Sequence, residues 1–422
     1  MRIKLTAADS FALGVGLPWE LPLETWPDEL LVQMPRGISR NVVRFVHGDG
    51  DTVFALKEVP ERVALREYEL LRTLRDRGLP SVEAVGLVTG RISPEGRPLM
   101  TILVTRYLER AMPYRVLFEG GDPLARGDKL LDALVDLLIR LHIAGFYWGD
   151  CSLSNTLFRR DAGRLAAYLV DAETGELHPE MSDGMRAYDV ELARLNMAGE
   201  LMDLAAGPGL PDGFDPLAVA EEMEVRYHRL WHELTRDEVF GPEEQYRVQT
   251  RIKALNDFGF DVEELDLVTA DDLPNRVPGR REGLRLVMRP KVVEAGHHKR
   301  RLHQLTGLDA EENQSRQLLN DIRRFKARLE LAEGRPLPEG AAAHRWLHEI
   351  YAPLLDAVPE DLRGKLDDPE LYFQVLEHRW YLSEAQGRDV GTAAALSDYI
   401  DKVLRRLPDR PVIPAEEPWP EP

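Results

Sequence analysis

The 422 residues exceed what one hydrophobic core organises, so two or more domains are expected; 44% hydrophobic and 30% charged residues is a globular composition. A net charge of −19 argues against a general nucleic-acid binder, which carries a basic excess. Cys151 is the single cysteine, which excludes an internal disulfide and a cysteine-built zinc site and suits a reducing cytoplasm.

Residues 1–30 are rich in Pro and Trp and read as an irregular lead-in. Arg2 and Lys4 are not followed by an apolar run, and no stretch is long and apolar enough to span a bilayer, so a cytoplasmic protein is expected. Asn41–Val46 and Thr52–Val59 read as strands around the turn signal His47-Gly-Asp-Gly-Asp51. Pro60 and Glu61 open a helix to about Arg77, with Leu65, Tyr68, Leu71 and Leu74 at three-residue spacing. Strands Val82–Val88 and Leu99–Thr105 come next, joined by the turn at 93–96. Asp128–Ile143 is an amphipathic helix ended by Gly145, and Thr156–Arg159 and Leu165–Val170 form a hairpin about Asp161-Ala-Gly163. Asp189–Leu204 is helical, and the Gly/Pro-rich stretch 208–216 separates it from the C-terminal half of the chain. Beyond that stretch, 217–260 reads helical and Leu284–Val293 as a strand. Leu302–Leu331, Ala341–Ala357, Pro369–Gln386 and Ala393–Arg406 are predicted helices, and the Pro- and Glu-rich tail 408–422 is expected to be disordered.

The chemistry-bearing residues recur in one order. Lys57 lies late in a strand among apolar neighbours, and Glu67 (with Glu69 as alternative) sits on the next helix, where a carboxylate can hold a buried ammonium. Gly149-Asp150-Cys-Ser-Leu-Ser-Asn155 lies between the long helix and the hairpin, with Asp-x-x-x-x-Asn spacing. There Asp150 can orient or deprotonate a hydroxyl, and Asn155 can offer a neutral oxygen to a metal ion. Asp171 ends an apolar strand, where a metal ligand makes sense of a carboxylate. Cys151 reads as a small buried residue, and Trp346, Trp380 and Tyr381 as core. His297-His-Lys-Arg-Arg301, with the Arg-rich residues from Arg276, is the one basic zone. It reads as a solvated helix start, with phosphate, an acidic partner, nucleic acid or an anionic substrate as the alternatives. No Walker A, His-Glu-x-x-His or Gly-x-Ser-x-Gly motif is present.

Over roughly residues 35–205, the order Lys57, Glu67, Asp150-x-x-x-x-Asn155, Asp171 resembles the protein-kinase superfamily. It looks closest to the branch of aminoglycoside phosphotransferases and lipopolysaccharide-core kinases, which often read His-Gly-Asp where this chain has Trp148-Gly149-Asp150. The whole chain looks like an uncharacterised bacterial kinase-like family with a C-terminal half of no assigned role. The resemblance implies ATP and Mg²⁺ (or Mn²⁺), Lys57 on the phosphates, Glu67 holding Lys57, Asp150 as base, and Asn155 and Asp171 on the metal. It further implies a hinge against adenine at Thr105–Leu108, including Tyr107, and Asp189 bracing the catalytic loop. The sequence departs from the pattern in several places. Pro35–Asn41 replaces the Gly-rich loop, leaving the Gly37–Arg40 amides or the Arg40 side chain to hold phosphate. Gly149 stands for Arg, Ser152 for a basic residue, and Glu173 for the last Gly of Asp-Phe-Gly.

The expected fold is α+β: a bilobal kinase-like unit with an additional, mainly helical C-terminal domain. Its parts are a lead-in at 1–21, an N-lobe at 22–108, a C-lobe at 109–207, a helical domain at 217–407 and the tail. The expected activity is transfer of the ATP γ-phosphate to an unidentified hydroxyl acceptor, with a protein partner for the C-terminal domain; the alternative is an inactive, ATP-binding scaffold.

Overall fold

The computed structural model describes residues 1–6, 13, 16–32, 41–48, 52–119, 128–207, 213–235, 238–240, 262–269, 286–292 and 296–407. Gly37, Arg40, the tail 408–422 and residues 276–285 of the basic zone lie outside them.

A five-stranded antiparallel sheet forms the first layer, in the order β1 (Arg2–Leu5), β4 (Glu83–Thr89), β5 (Thr101–Arg106), β3 (Val53–Val59), β2 (Val42–His47). Residues Arg2–Leu5, which read as irregular, pair with Thr89–Gly86 and form an edge strand. Trp19, Leu23 and Trp26 of the same segment bury against Phe54, Leu56 and Val104 on one sheet face. A buried Arg91 ties them down, donating to the carbonyls of Trp19 (2.7 Å) and Leu21 and to Glu58 (2.5 Å). These are tertiary contacts with no local sequence signal, and each buried aliphatic or aromatic side chain contributes about 1.5–3 kcal/mol.

On the other face lies α1 (Glu61–Asp76), burying Ala64, Glu67, Tyr68, Leu71 and Leu74. One apolar cluster continues from α1 into α3 (Asp128–Ile143), α4 (Asp183–Ala205) and α5 (Pro216–Thr235). Between the sheet and α3 come β6 (Met112–Pro113) and α2 (Tyr114–Glu119). Between α3 and α4, β7 (Phe146–Tyr147) pairs with β10 (Glu176–Leu177), and β8 (Thr156–Asp161) with β9 (Arg164–Leu169). Helix α5 falls beyond the Gly/Pro-rich stretch, yet its stripe Ala220, Met223, Tyr227, Leu230 and Leu234 packs with α3 and α4. Past α5, where helix was expected to 260, β11 (Glu238–Phe240) joins a sheet with β12 (Val262–Thr269) and β13 (Leu286–Val292).

The last unit is helical: α6 (His297–Thr306), α7 (Glu312–Glu333), α8 (Glu339–Trp346), a π turn (Leu347–Tyr351), α9 (Ala352–Asp356), α10 (Asp368–Gln386) and α11 (Thr392–Lys402). Its core centres on Trp346, Tyr351, Tyr372 and Val375. Trp380 and Tyr381, expected in the core, are 57% and 56% exposed; the second half of α10 meets its neighbours through polar side chains instead, His378 bonding Asp398 (2.7 Å) and Arg379 bonding Thr392 (3.1 Å). The unit docks on the β8–β9 hairpin. Asp161 accepts from the backbone N–H groups of Asn313 (3.1 Å) and Gln314 (2.8 Å), opening α7, and Arg159 pairs with Glu311 (2.9 Å) and Asp367 (3.1 Å). The basic run at the start of α6 is internally paired: His298 with Glu312, Lys299 with Glu311 and Arg301 with Glu339. No helix of the described residues is long and apolar enough to cross a membrane.

Candidate active site

Strand alternation sets the first residue. Phe54 and Leu56 point into the cluster around Trp19 and Trp26, so Ala55 and Lys57 lie on the opposite face, toward α1. There the Lys57 ammonium donates to Asp171 Oδ2 at 2.5 Å, to Glu67 Oε2 at 3.0 Å and to Glu173 Oε2 at 3.2 Å. Lys57 and Asp171 are thus in contact across 114 residues of chain. Burial pulls the Lys57 pKa down, but the three carboxylates outweigh it and raise it. Burial, then the Asp171 charge, push the Glu67 carboxyl up to about 8, while Lys57 pulls it back. The two shifts describe one crowded cluster, in which one ammonium faces three acids; the ammonium stays charged and the buried acid is the hardest to ionise. Glu67, Asp171 and Glu173 each offer an oxygen within 4.8 Å of the others. Asp171 and Glu173, the two more accessible acids, offer oxygens of the kind a hard divalent cation takes.

The bridge between sheet and hairpin places Asp171. Val82 donates to the Leu169 carbonyl (2.9 Å) and Leu169 to that of Pro80 (3.1 Å), so β9 is fastened to the connection between α1 and β4 just before Asp171. Glu173 donates its N–H to Asp171 Oδ1 at 2.9 Å, and Asn41 reaches Glu173 at 3.4 Å. Glu173 is one of the site residues whose contact was not expected from the sequence; its signal was the Asp-x-Glu spacing, which puts both carboxylates just past the same strand end.

The loop from Trp148 to Asn155 is the second half. Gly149 has φ +76°, and a Cβ there would stand 2.9 Å from the Tyr147 ring. A side chain at this position is therefore strained, which accounts for glycine where kinases often keep arginine. Trp148 is fully buried and its indole N–H donates to the Asp171 carbonyl at 2.9 Å, while Thr174 Oγ1 donates to the Trp148 carbonyl at 2.8 Å. The indole thereby joins the loop to the Asp171 segment. Ser152 Oγ accepts from Asn155 N at 3.1 Å, and Asn155 Nδ2 donates to the Asp150 carbonyl (3.0 Å) and to Asp150 Oδ2 (3.1 Å). With its nitrogen on Asp150, the Asn155 amide turns its oxygen away from that carboxylate. Asp189, fully buried, accepts from the N–H groups of Trp148 and Gly149, both at 2.8 Å, and from His142 Nε2 at 3.0 Å. Burial lowers the His142 pKa, so a neutral ring donates to Asp189 and accepts from Tyr227 (2.6 Å). The Cys151 thiol is buried and its pKa is pushed well up by burial, which leaves it a packing group.

Thr105 pairs with Ala55, two residues from Lys57 and on the same face of β3. The Tyr107 N–H is taken by the Val53 carbonyl (2.9 Å), and its ring meets Phe45 edge-on at 5.7 Å. Of the residues named from the sequence, Lys57, Glu67 and Asp171 are brought into contact, and Asp150 with Asn155. Thr105 and Tyr107 lie along the strand beside Lys57, while Gly37 and Arg40 lie outside the described residues.

Residues 52–204 match the lipopolysaccharide kinase (Kdo/WaaP) family, and residues 229–404 match a domain of unknown function, DUF4032. A solved structure described as WaaP in complex with acyl carrier protein is similar over 61% of this chain and 99% of that chain, at 17% identity and a TM-score of 0.34. No curated protein matches. Residues 52–204 are thus similar to a kinase family, and the fold is a bilobal, kinase-like α+β arrangement extended by a mainly helical C-terminal unit.

Proposed function

We propose that this protein-kinase-like chain is a Mg-ATP-dependent phosphotransferase that moves the γ-phosphate of ATP to a hydroxyl of a small-molecule, glycan or protein acceptor. The observation that carries the reading is the convergence of Lys57 on Glu67 and Asp171, with Asp150 and Asn155 hydrogen-bonded to each other on the adjoining loop. Mg²⁺ (or Mn²⁺) held by Asp171 and Asn155 would neutralise charge on the transferring phosphoryl group. Lys57, kept charged by its carboxylates, binds the nucleotide phosphates, and Glu67 keeps it in place. Asp150 accepts the hydrogen bond of the acceptor hydroxyl and takes its proton. The new bond joins the acceptor oxygen to phosphorus, the bond from phosphorus to the β–γ bridging oxygen breaks, and ADP leaves. Thr105 and Tyr107 would flank the adenine, and Gly37 and Arg40 would contact phosphate.

A second reading, an ATP-gated scaffold, draws on Ser152. Kinases keep a cation at this position, and here a hydroxyl engaged with Asn155 N replaces it, which weakens γ-phosphate stabilisation. ATP consumption by the purified protein, scanned with Mg²⁺ and Mn²⁺, separates the two. Turnover is expected to fall by several orders of magnitude in Asp171→Asn, while Asp150→Asn still binds ATP. ATP binding without turnover favours the scaffold, and equal turnover in wild type and Asp171→Asn refutes both.

A further inference from the structure

Helix α4 presents Asp189, Asn196 and Glu200 at i, i+7 and i+11, which lie within about 20° of a common direction on a helix of 3.6 residues per turn. Each takes a different stretch of the loop. Asp189 holds the N–H groups of Trp148 and Gly149 at 2.8 Å, and Glu200 holds those of Leu153 (2.7 Å) and Ser154 (3.0 Å). Asn196 stands between them and is the member of this face that reaches the side chain of Asp150. Its Nδ2 donates to Asp150 Oδ1 at 3.1 Å and to the Cys151 carbonyl at 3.2 Å. Asn155 Nδ2 meets the other oxygen, Oδ2, at 3.1 Å.

An aspartate χ2 is broad, so a carboxylate anchored at its backbone alone turns freely about that bond. Two amide donors on opposite oxygens remove that freedom and fix the carboxylate plane. A polar residue satisfying a loop carbonyl would need only the bond to Cys151; the second bond, to Oδ1, has no such purpose. We infer that Asn196 is a positioning residue, which sets the plane of the Asp150 carboxylate for the acceptor hydroxyl. The inference rests on the proposed reaction for its purpose, though not for its geometry.

The test compares Asn196→Ala and Asn196→Asp with wild type in steady-state ATP consumption, with melting temperature and binding of a non-hydrolysable ATP analogue measured alongside. The expected result is a kcat lowered about 10–100-fold with KM for ATP within about twofold, because orientation is lost and nucleotide binding is not. Asn196→Asp, equal in size but without the donor, is expected to be at least as impaired as Asn196→Ala. Wild-type kcat in Asn196→Asp, or a joint loss of melting temperature and analogue affinity in both variants, overturns the inference. A readout independent of turnover is the Asn196 side-chain amide signal in ¹⁵N NMR, which is expected to shift in Asp150→Ala; an unmoved signal overturns the contact. If wild type consumes no ATP under any condition, the phosphotransferase reading fails, and the amide signal still decides whether Asn196 holds Asp150.

Discussion

The three N–H groups of the Lys57 ammonium meet three carboxylates. Glu67 is 1% exposed at its side chain, Asp171 23% and Glu173 32%, so the three carboxylates grade from fixed to accessible. The buried one is committed to Lys57 and to the Ala172 N–H (3.5 Å), and the outer two are the ones open to an incoming cation. Glu67→Gln is therefore expected to lower kcat/KM for ATP by about two orders of magnitude, because the lysine loses its fixed partner. Glu173→Gln is expected to leave kcat within a few-fold and to raise the Mg²⁺ concentration for half-maximal turnover about 10-fold, since a charge next to the metal position is removed. Titrating ATP consumption with Mg²⁺ distinguishes them: a Glu173→Gln curve that coincides with wild type removes Glu173 from the metal site.

At the scale of elements, the loop between β7 and β8 is held by a helix rather than by its own composition. Gly149→Ala is expected to destabilise the protein by about 1–2 kcal/mol, since alanine at φ +76° is disfavoured and its Cβ meets the Tyr147 ring. A melting temperature equal to wild type would show that the loop relaxes without cost. The same loop marks the limit of sequence reading. Lys57, Glu67, Asp150, Asn155 and Asp171 are legible because their order and the strand, helix and hairpin around them recur as a pattern. Asn196 and Glu200 are not, because polar residues inside an amphipathic helix look the same whether they face solvent or a loop; only their offsets of 7 and 11 from Asp189 hint otherwise. Strand β1 is invisible for another reason: Arg2–Leu5 pairs with β4 more than 80 residues away, and nothing local announces an edge strand.

At the scale of the molecule, the helical C-terminal unit is seated on the hairpin whose end carries Asp171. The seat is polar and buried: Asp161 and Glu311 are 3% exposed, faced by Arg159 and Lys299, with Glu370 accepting from Ala162 N (2.9 Å) and Gln314 Nε2 (2.8 Å). Burial pushes the Glu311 carboxyl up, but Lys299 and Arg159 outweigh it and hold it low, so Glu311 is the charged member. Burial, then the charge on Glu311, push the Asp161 carboxyl from its ordinary 3.8 to about 7, against the pull of the α7 N–H groups. Its proton is thus bound more tightly folded than unfolded. The resulting stability is full below pH 3.8 and is lost as pH rises through about 7. Urea unfolding at pH 6, 7 and 8 is therefore expected to show a midpoint that falls with pH. Asp161→Asn is expected to make that dependence shallower, leaving the share of the raised Glu67 carboxyl, while costing about 1–3 kcal/mol at pH 6, because one N–H at the start of α7 loses its acceptor. A variant whose midpoint falls in parallel with wild type would assign the pH response to another group, and with it remove Asp161 as the proton-linked contact between the hairpin and the helical unit.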